Sequence, residues 1–191
     1  MGMIDHFGMI APFYNKIFSR KEKPMCLDFL PEEFEGLVMD LGGGSGRIST
    51  WLESNSTKII LADVSLKMLS HARRFDGLFS VCCESEQLCF APARLDAVLM
   101  VDAFHHVSDQ RRTLEEIWRV LKPGGRLIIE EPDIRTWQVK LIALMEKILI
   151  MRSHFESPFN ISRMLLELGA EVEIHYDKNK TTAFVVAIKN R

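Results

Sequence analysis

Short, continuous apolar runs alternate with amphipathic stretches along most of this chain. Residues 37–41, 58–62, 78–81, Leu95–Val101 and 126–130 read as five strands. The Leu95–Val101 run has no polar alternation that would give it a wet face, as in a parallel strand covered on both sides. Between the strands the period changes. Residues 48–52 open a helix, Ser65 stands as an N-cap before Leu66, Met68 and Leu69, and Leu114, Ile117, Trp118 and Leu121 fall at helical spacing. Lys122-Pro123-Gly124-Gly125 stops that third stretch with proline and glycine chemistry. A long helix over 134–154 and a shorter one ending at Gly169 follow. Two alternating runs, 171–176 and 182–188, then flank Asp177-Lys178-Asn179-Lys180 and read as a β-hairpin.

Repeated βα units predict a parallel sheet with helices on both faces, and the terminal hairpin places one antiparallel strand in it. At 191 residues the chain fits a single domain, with 1–35 as helical cover over the carboxyl edge of the sheet and 36–191 as the core.

Composition narrows the function classes. Net charge is −2, so no global basic field attracts nucleic acid, and Arg73-Arg74 and Arg111-Arg112 read as solvated helix surface. Residues 137–151 are very apolar, but Lys140, Glu146 and Lys147 interrupt them, and about 15 residues fall short of the roughly 20 that span a bilayer. Stable membrane insertion is therefore not expected. The N-terminus lacks the apolar core and cleavage site of a secretory leader, and Cys26, Cys82, Cys83 and Cys89 show no C-x-x-C spacing. Reduced thiols, a cytoplasmic location and no metal centre are the expectation.

The chemistry concentrates at Val38-Met39-Asp40-Leu41-Gly42-Gly43-Gly44-Ser45-Gly46-Arg47. A strand ends in an acid, glycines follow at every second position, and a helix is expected next. That is the setting in which a glycine-rich loop binds a nucleotide-type ligand. The dinucleotide fingerprint G-x-G-x-x-G needs glycine at 47, where this chain has Arg47. G-x-G-x-G two residues after an acid instead resembles motif I of the class I methyltransferases that use S-adenosylmethionine.

Further segments extend the resemblance, in order and at matching intervals, to the quinone-biosynthesis-like (type 11) group of that family. They are Ile10-Ala11-Pro12-Phe13-Tyr14, Leu61-Ala62-Asp63-Val64-Ser65 with Met68-Leu69, Glu86-Gln87-Leu88-Cys89-Phe90, Asp96-Ala97-Val98 leading to Phe104-His105-His106-Val107, and Arg119-Val120-Leu121-Lys122-Pro123-Gly124-Gly125. The resemblance implies a Rossmann-like α/β/α sandwich. Its seven-stranded, mostly parallel sheet would have order 3-2-1-4-5-7-6 with strand 7 antiparallel.

The resemblance also implies site roles. Asp63, with Val64 and Met68 beside it, would take the ribose hydroxyls. Glu84 and Ser85 would meet the adenine, Gly42, Gly44 and Gly46 would pass under the methionyl part, and Asp40 would lie near its amino group. Met100 and Val101 would close the sulfonium side. Gly43 stands where the family commonly has cysteine and reads as a neutral change, while Cys83, Glu84 and Cys89 depart from the usual glycine, aspartate and proline. The charge pattern points the same way without the family. Asp40, Asp63, Glu84 and Asp102 collect at one sheet edge, which suits an ammonium and a sulfonium and repels a pyrophosphate.

Tyr14, His106 and His154 are candidate substrate contacts, each with a packing role as its alternative. Cys82 and Cys83 suggest thiol chemistry less readily than strand-end packing. The segments able to roof the edge supply Phe7, Ile10, Phe13, Tyr14, Phe18, Phe104, Trp137, Leu141, Phe155 and Phe159, with Glu131, Asp133 and His154 as the few fixed charges. Such a roof predicts a small, apolar or aromatic methyl acceptor, with residues 1–18 as a lid and S-adenosylhomocysteine as product. A non-catalytic S-adenosylmethionine-binding or regulatory module is the alternative, and a homodimer is left open.

Overall fold

The computed structural model describes residues 23–31, 34–53, 57–135 and 154–190. The expected lid with Tyr14 and nearly all of the long helix over 134–154 fall outside these residues. Seven strands form one sheet in the order β3-β2-β1-β4-β5-β7-β6. In chain order they are β1 (Gly36–Leu41), β2 (Thr57–Asp63), β3 (Leu78–Cys82), β4 (Leu95–Val101), β5 (Leu121–Pro132), β6 (Ala170–Tyr176) and β7 (Thr182–Lys189). β1 to β5 pair in parallel, while β7 runs antiparallel between β5 and β6.

The two-residue period of the strands divides the core in two. Met39, Leu41, Val98, Met100, Leu127 and Ile129 face one cluster, which also takes Leu114 and Ile117 of helix α2 (Gln110–Val120) and Ile161 and Leu165 of helix α3 (Pro158–Glu167). Val38, Leu99, Val101 and Ile128 face the other, against Cys26, Leu27, Leu30 and Ile48. The central strands are thus covered on both sides, as their unbroken apolar runs require.

Caps fix the helix starts. Ser65 Oγ accepts the Met68 N–H at the head of helix α1 (Leu66–Ser70), and the Asp109 carboxylate accepts the Arg112 N–H at the head of α2. Two expectations are corrected. The stretch after the glycine loop makes only a 3-10 turn, Ser49–Trp51, because few residues separate it from β2 and the Ser49 side chain is turned back to Asp40. Lys122 to Gly125 belong to β5, where Leu121 pairs with Leu95 and the register shifts before Arg126 meets Ala97.

Candidate active site

A cavity of about 390 Å³ opens at the carboxyl ends of β1, β2 and β4. Asp40, Gly42, Gly44, Asp63, Val64, Met68, Glu84, Ser85, Met100, Val101 and His106 all line it. Two expected residues among those described do not appear in that lining. Gly46 sits beneath the loop, where its N–H donates to the Gly43 carbonyl (2.9 Å) and a Cβ would press on Leu61. His154 faces the turn after β4 and donates its N–H to the His105 carbonyl (2.7 Å). Tyr14 lies outside the described residues.

The glycine loop is shaped from below by two carboxylates. Asp63 Oδ2 accepts the Gly44 N–H (2.8 Å) and its Oδ1 accepts the Ser65 N–H (2.8 Å), so Asp63 holds the loop as well as facing the cavity. Gly44 has φ +58, a backbone conformation that favours glycine. Asp40 is buried, and its Oδ2 accepts both the Ser49 N–H (3.1 Å) and the Ser49 hydroxyl (2.7 Å). Among the described residues its Oδ1 has no hydrogen-bond partner. Burial pushes the Asp40 carboxyl up to about 6, against the downward pull of Ser49 and Arg47. Gly43 proves not to be neutral. A Cβ there would come within 2.5 Å of Asp40 Cγ and Leu61 Cδ1, so Asp40 keeps its place only beside a glycine.

The Glu84–Ser85 end of the cavity is held from α2. Glu116 on α2 is buried and accepts the Leu88 N–H (2.9 Å), and it pairs with Arg119, whose guanidinium donates to the Leu88 and Phe90 carbonyls. The arginine of the Arg119–Gly125 motif is therefore a clasp on the segment that follows Glu84 and Ser85. Glu86 accepts the backbone N–H groups of Ser108 and Asp109, which joins that segment to the turn after β4.

On the opposite side, Arg47 and Asp102 form an ion pair (3.1 Å) across the cavity lining. Asp102 has φ +52, strained for a residue with a Cβ. His106 is pushed down to about 3, first by burial and then by the neighbouring His105, so its ring is neutral at physiological pH. Cys83 also lines the cavity, but burial pushes its thiol up to about 11, which leaves it a poor nucleophile. The expected aromatic roof is corrected where it is described. Phe104 is core, Phe155 stacks on His105, and Phe159 is exposed beneath Arg135. Arg47, Glu86, Ser108 and Asp109 line the cavity and were not singled out from the sequence. Arg47 adjoins the glycine loop and was the one most open to detection there.

Sheet order and site together define a class I methyltransferase fold. The Methyltransferase domain model of type 11 (Methyltransf_11) matches residues 39–129. The demethylmenaquinone methyltransferase of Paenarthrobacter aurescens is 30% identical over 143 residues, covering 69% of this chain and 56% of that protein. Among solved structures, a chain in the complex between the Haloferax volcanii Trm112 methyltransferase activator and a methyltransferase has TM-score 0.84 at 19% identity, with 100% of both chains covered. An S-adenosylmethionine-dependent methyltransferase of Thermotoga maritima has TM-score 0.76 at 22% identity, covering 96% of this chain and 98% of that one. Over residues 39–129 the chain is similar to the type 11 methyltransferases, and its fold is that of the class I S-adenosylmethionine-dependent methyltransferases. It spans 26% to 59% of the length of the curated relatives it matches. Among the described residues no helix is long and apolar enough to cross a membrane, and no group of three or more His, Cys, Asp and Glu is placed to hold a metal.

Proposed function

We propose that this chain binds S-adenosylmethionine in the β1–β2–β4 cavity and transfers its methyl group to a small, weakly charged acceptor. The observation that carries the cofactor reading is Asp40 Oδ1, a buried carboxylate oxygen with no partner at the floor of the glycine loop. Such an atom calls for a cation, and the cofactor's ammonium is one. Asp63, which lines the same cavity and holds the glycine loop at Gly44, would take the ribose hydroxyls. Glu84 and Ser85 would hold the adenine, and Met100 and Val101 the sulfonium side. The bound cofactor supplies an electrophilic methyl group, and the protein's part is positioning and exclusion of water.

The acceptor side supports a weakly charged substrate. Asp102 is paired with Arg47, Asp109 caps α2, and Glu86 is committed to two backbone N–H groups. The remaining groups there are the neutral His106, Val107 and Ser108. Calorimetry with S-adenosylmethionine, S-adenosylhomocysteine and NAD tests the cofactor. Binding of NAD alone would overturn it. Methyl release over a panel of phenols, quinols, amines and carboxylic acids then tests transfer, and binding without release across the panel would favour a non-catalytic module.

One observation favours a protein partner as a second reading. Phe79 is exposed on β3, the edge strand, and the Haloferax volcanii neighbour is a complex with an activator. Co-expression with an activator of that kind, followed by gel filtration of wild type and Phe79→Asp, tests it.

A further inference from the structure

Glu131, next to last in β5, lies outside the cavity lining, yet it is tied to the turn that carries His106. Its Oε1 accepts the N–H groups of Ala103 (3.0 Å) and Phe104 (2.7 Å), and its Oε2 meets His105 Nδ1. Both side chains are buried. The 3-10 turn Phe104–His106 receives no side-chain cap from Ala103, so the Glu131 carboxylate, reaching in from another strand, does the capping. A buried carboxylate is costly unless it is hydrogen-bonded, and this one takes three contacts from the turn.

The contact passes onward through rings. His105 stacks on Phe155 (4.3 Å, 12°) and packs against His106 (3.9 Å between centroids), and His106 faces the cavity. Gln110 clamps the same turn from α2, donating to the carbonyls of Phe104 (3.2 Å) and His154 (2.6 Å).

We infer that Glu131 is a positioning residue for methyl acceptance: it sets the 103–106 turn and, through His105, the His106 imidazole against which the acceptor rests. This rests on the methyltransferase reading for the word acceptor, while the geometry stands without it. The acceptor class it implies offers a hydroxyl or comparable neutral hydrogen-bonding group to the neutral ring. His105, buried and off the cavity, supports that ring and does not meet substrate.

The test compares Glu131→Gln and Glu131→Ala with wild type in histidine-¹⁵N-labelled protein. A glutamine can keep its oxygen on the Ala103 and Phe104 N–H groups, which turns its amide N–H toward His105 Nδ1. That ring must then accept at Nδ1 and carry its proton on Nε2. The expected result is loss of the Nδ1-protonated signal of His105 in Glu131→Gln and displaced His106 resonances in both variants. In Glu131→Ala the Phe104 amide should exchange at least about tenfold faster while that of Gly44 keeps its rate. S-adenosylhomocysteine affinity should stay within about threefold in both variants. With an acceptor active in the panel, its kcat/KM should fall at least about tenfold in Glu131→Ala with the cofactor KM unchanged. Unmoved His106 resonances in both variants would overturn the inference, as would a tenfold loss of S-adenosylhomocysteine affinity. Failure of wild type to bind S-adenosylhomocysteine would overturn the cofactor reading alone, and the imidazole signals would still decide the role of Glu131. If the alanine variant does not fold, Glu131→Gln decides it.

Discussion

Asp40 and Ser49 are joined through one carboxylate oxygen only. Oδ2 takes both the backbone N–H and the hydroxyl of Ser49, and Oδ1 on the same carbon takes nothing among the described residues. The side chain is therefore locked in orientation and left half satisfied in its chemistry. Such a group is costly in the free protein and strongly favourable once a cation arrives.

That asymmetry gives a pH prediction. The folded Asp40 carboxyl sits at about 6, above the 3.8 of an ordinary aspartate, so the native state binds the proton more readily than the unfolded chain. Stability from this group is present at low pH and declines as pH rises from about 4 to about 6, by at most about 3 kcal/mol. Urea unfolding at pH 4 and pH 7.5 should show a smaller drop in Asp40→Asn than in wild type. Cofactor affinity has the opposite dependence, since the carboxylate form is needed. S-adenosylmethionine should bind roughly tenfold more weakly at pH 5 than at pH 7.5 in wild type, and this difference should vanish in Asp40→Asn.

Asp63→Ala should lose cofactor affinity by at least about tenfold, because charge-assisted bonds to the ribose are worth roughly 1.5–3 kcal/mol each. It also strips the Gly44 and Ser65 N–H groups of their acceptor, so a loss of about 1–3 kcal/mol in urea unfolding should accompany it. Unchanged calorimetric affinity would remove Asp63 from the ribose role.

Gly43→Ala should destabilise the protein by roughly 1–3 kcal/mol, since the new methyl meets Asp40 Cγ and Leu61 Cδ1 at 2.5 Å. Thermal unfolding measures it. If the pressure comes chiefly from Asp40, Gly43→Ala with Asp40→Ala should recover part of the loss, a coupling that a double-mutant cycle reads directly.

Strand positions were legible because a parallel strand buried on both faces must be apolar throughout, and β4 was read with its observed bounds. The Ser65 cap was legible because N-capping is local chemistry. That Asp40, Gly42, Gly44 and Asp63 meet at one cavity was legible too, since they sit at or directly after strand ends and the sheet alone brings them together. Glu116 and Glu131 were not. Each is buried by a partner 26 or more residues away, and a local pattern shows which face a residue occupies without showing what it meets there. Gly43 was misjudged for the same reason, because its neighbour Leu61 comes from β2.

Arg119→Met should be felt at a distance. It leaves the buried Glu116 without its closest cation and frees the Leu88 and Phe90 carbonyls. A stability loss of roughly 2–4 kcal/mol is expected, together with severalfold weaker S-adenosylhomocysteine binding. Arg111→Met, which breaks only exposed pairs with Glu115 and Glu167, should change stability by less than about 1 kcal/mol. Equal effects of the two substitutions would contradict the clasp.

The two sides of the cavity hang from different beams. The clasp on the segment after Glu84 and Ser85 comes from α2, and the tie on the His106 turn comes from the far end of β5. Glu86 and Gln110 bridge the two, so residues near the β5 anchor can change with least disturbance to the other side where those bonds are kept. A lineage could exchange one methyl acceptor for another by altering the β5 end and the turn it holds, while inheriting its donor site intact. The same separation offers a route to engineering: libraries confined to residues 103–108 and their Glu131 anchor would search acceptor space without spending variants on the cofactor.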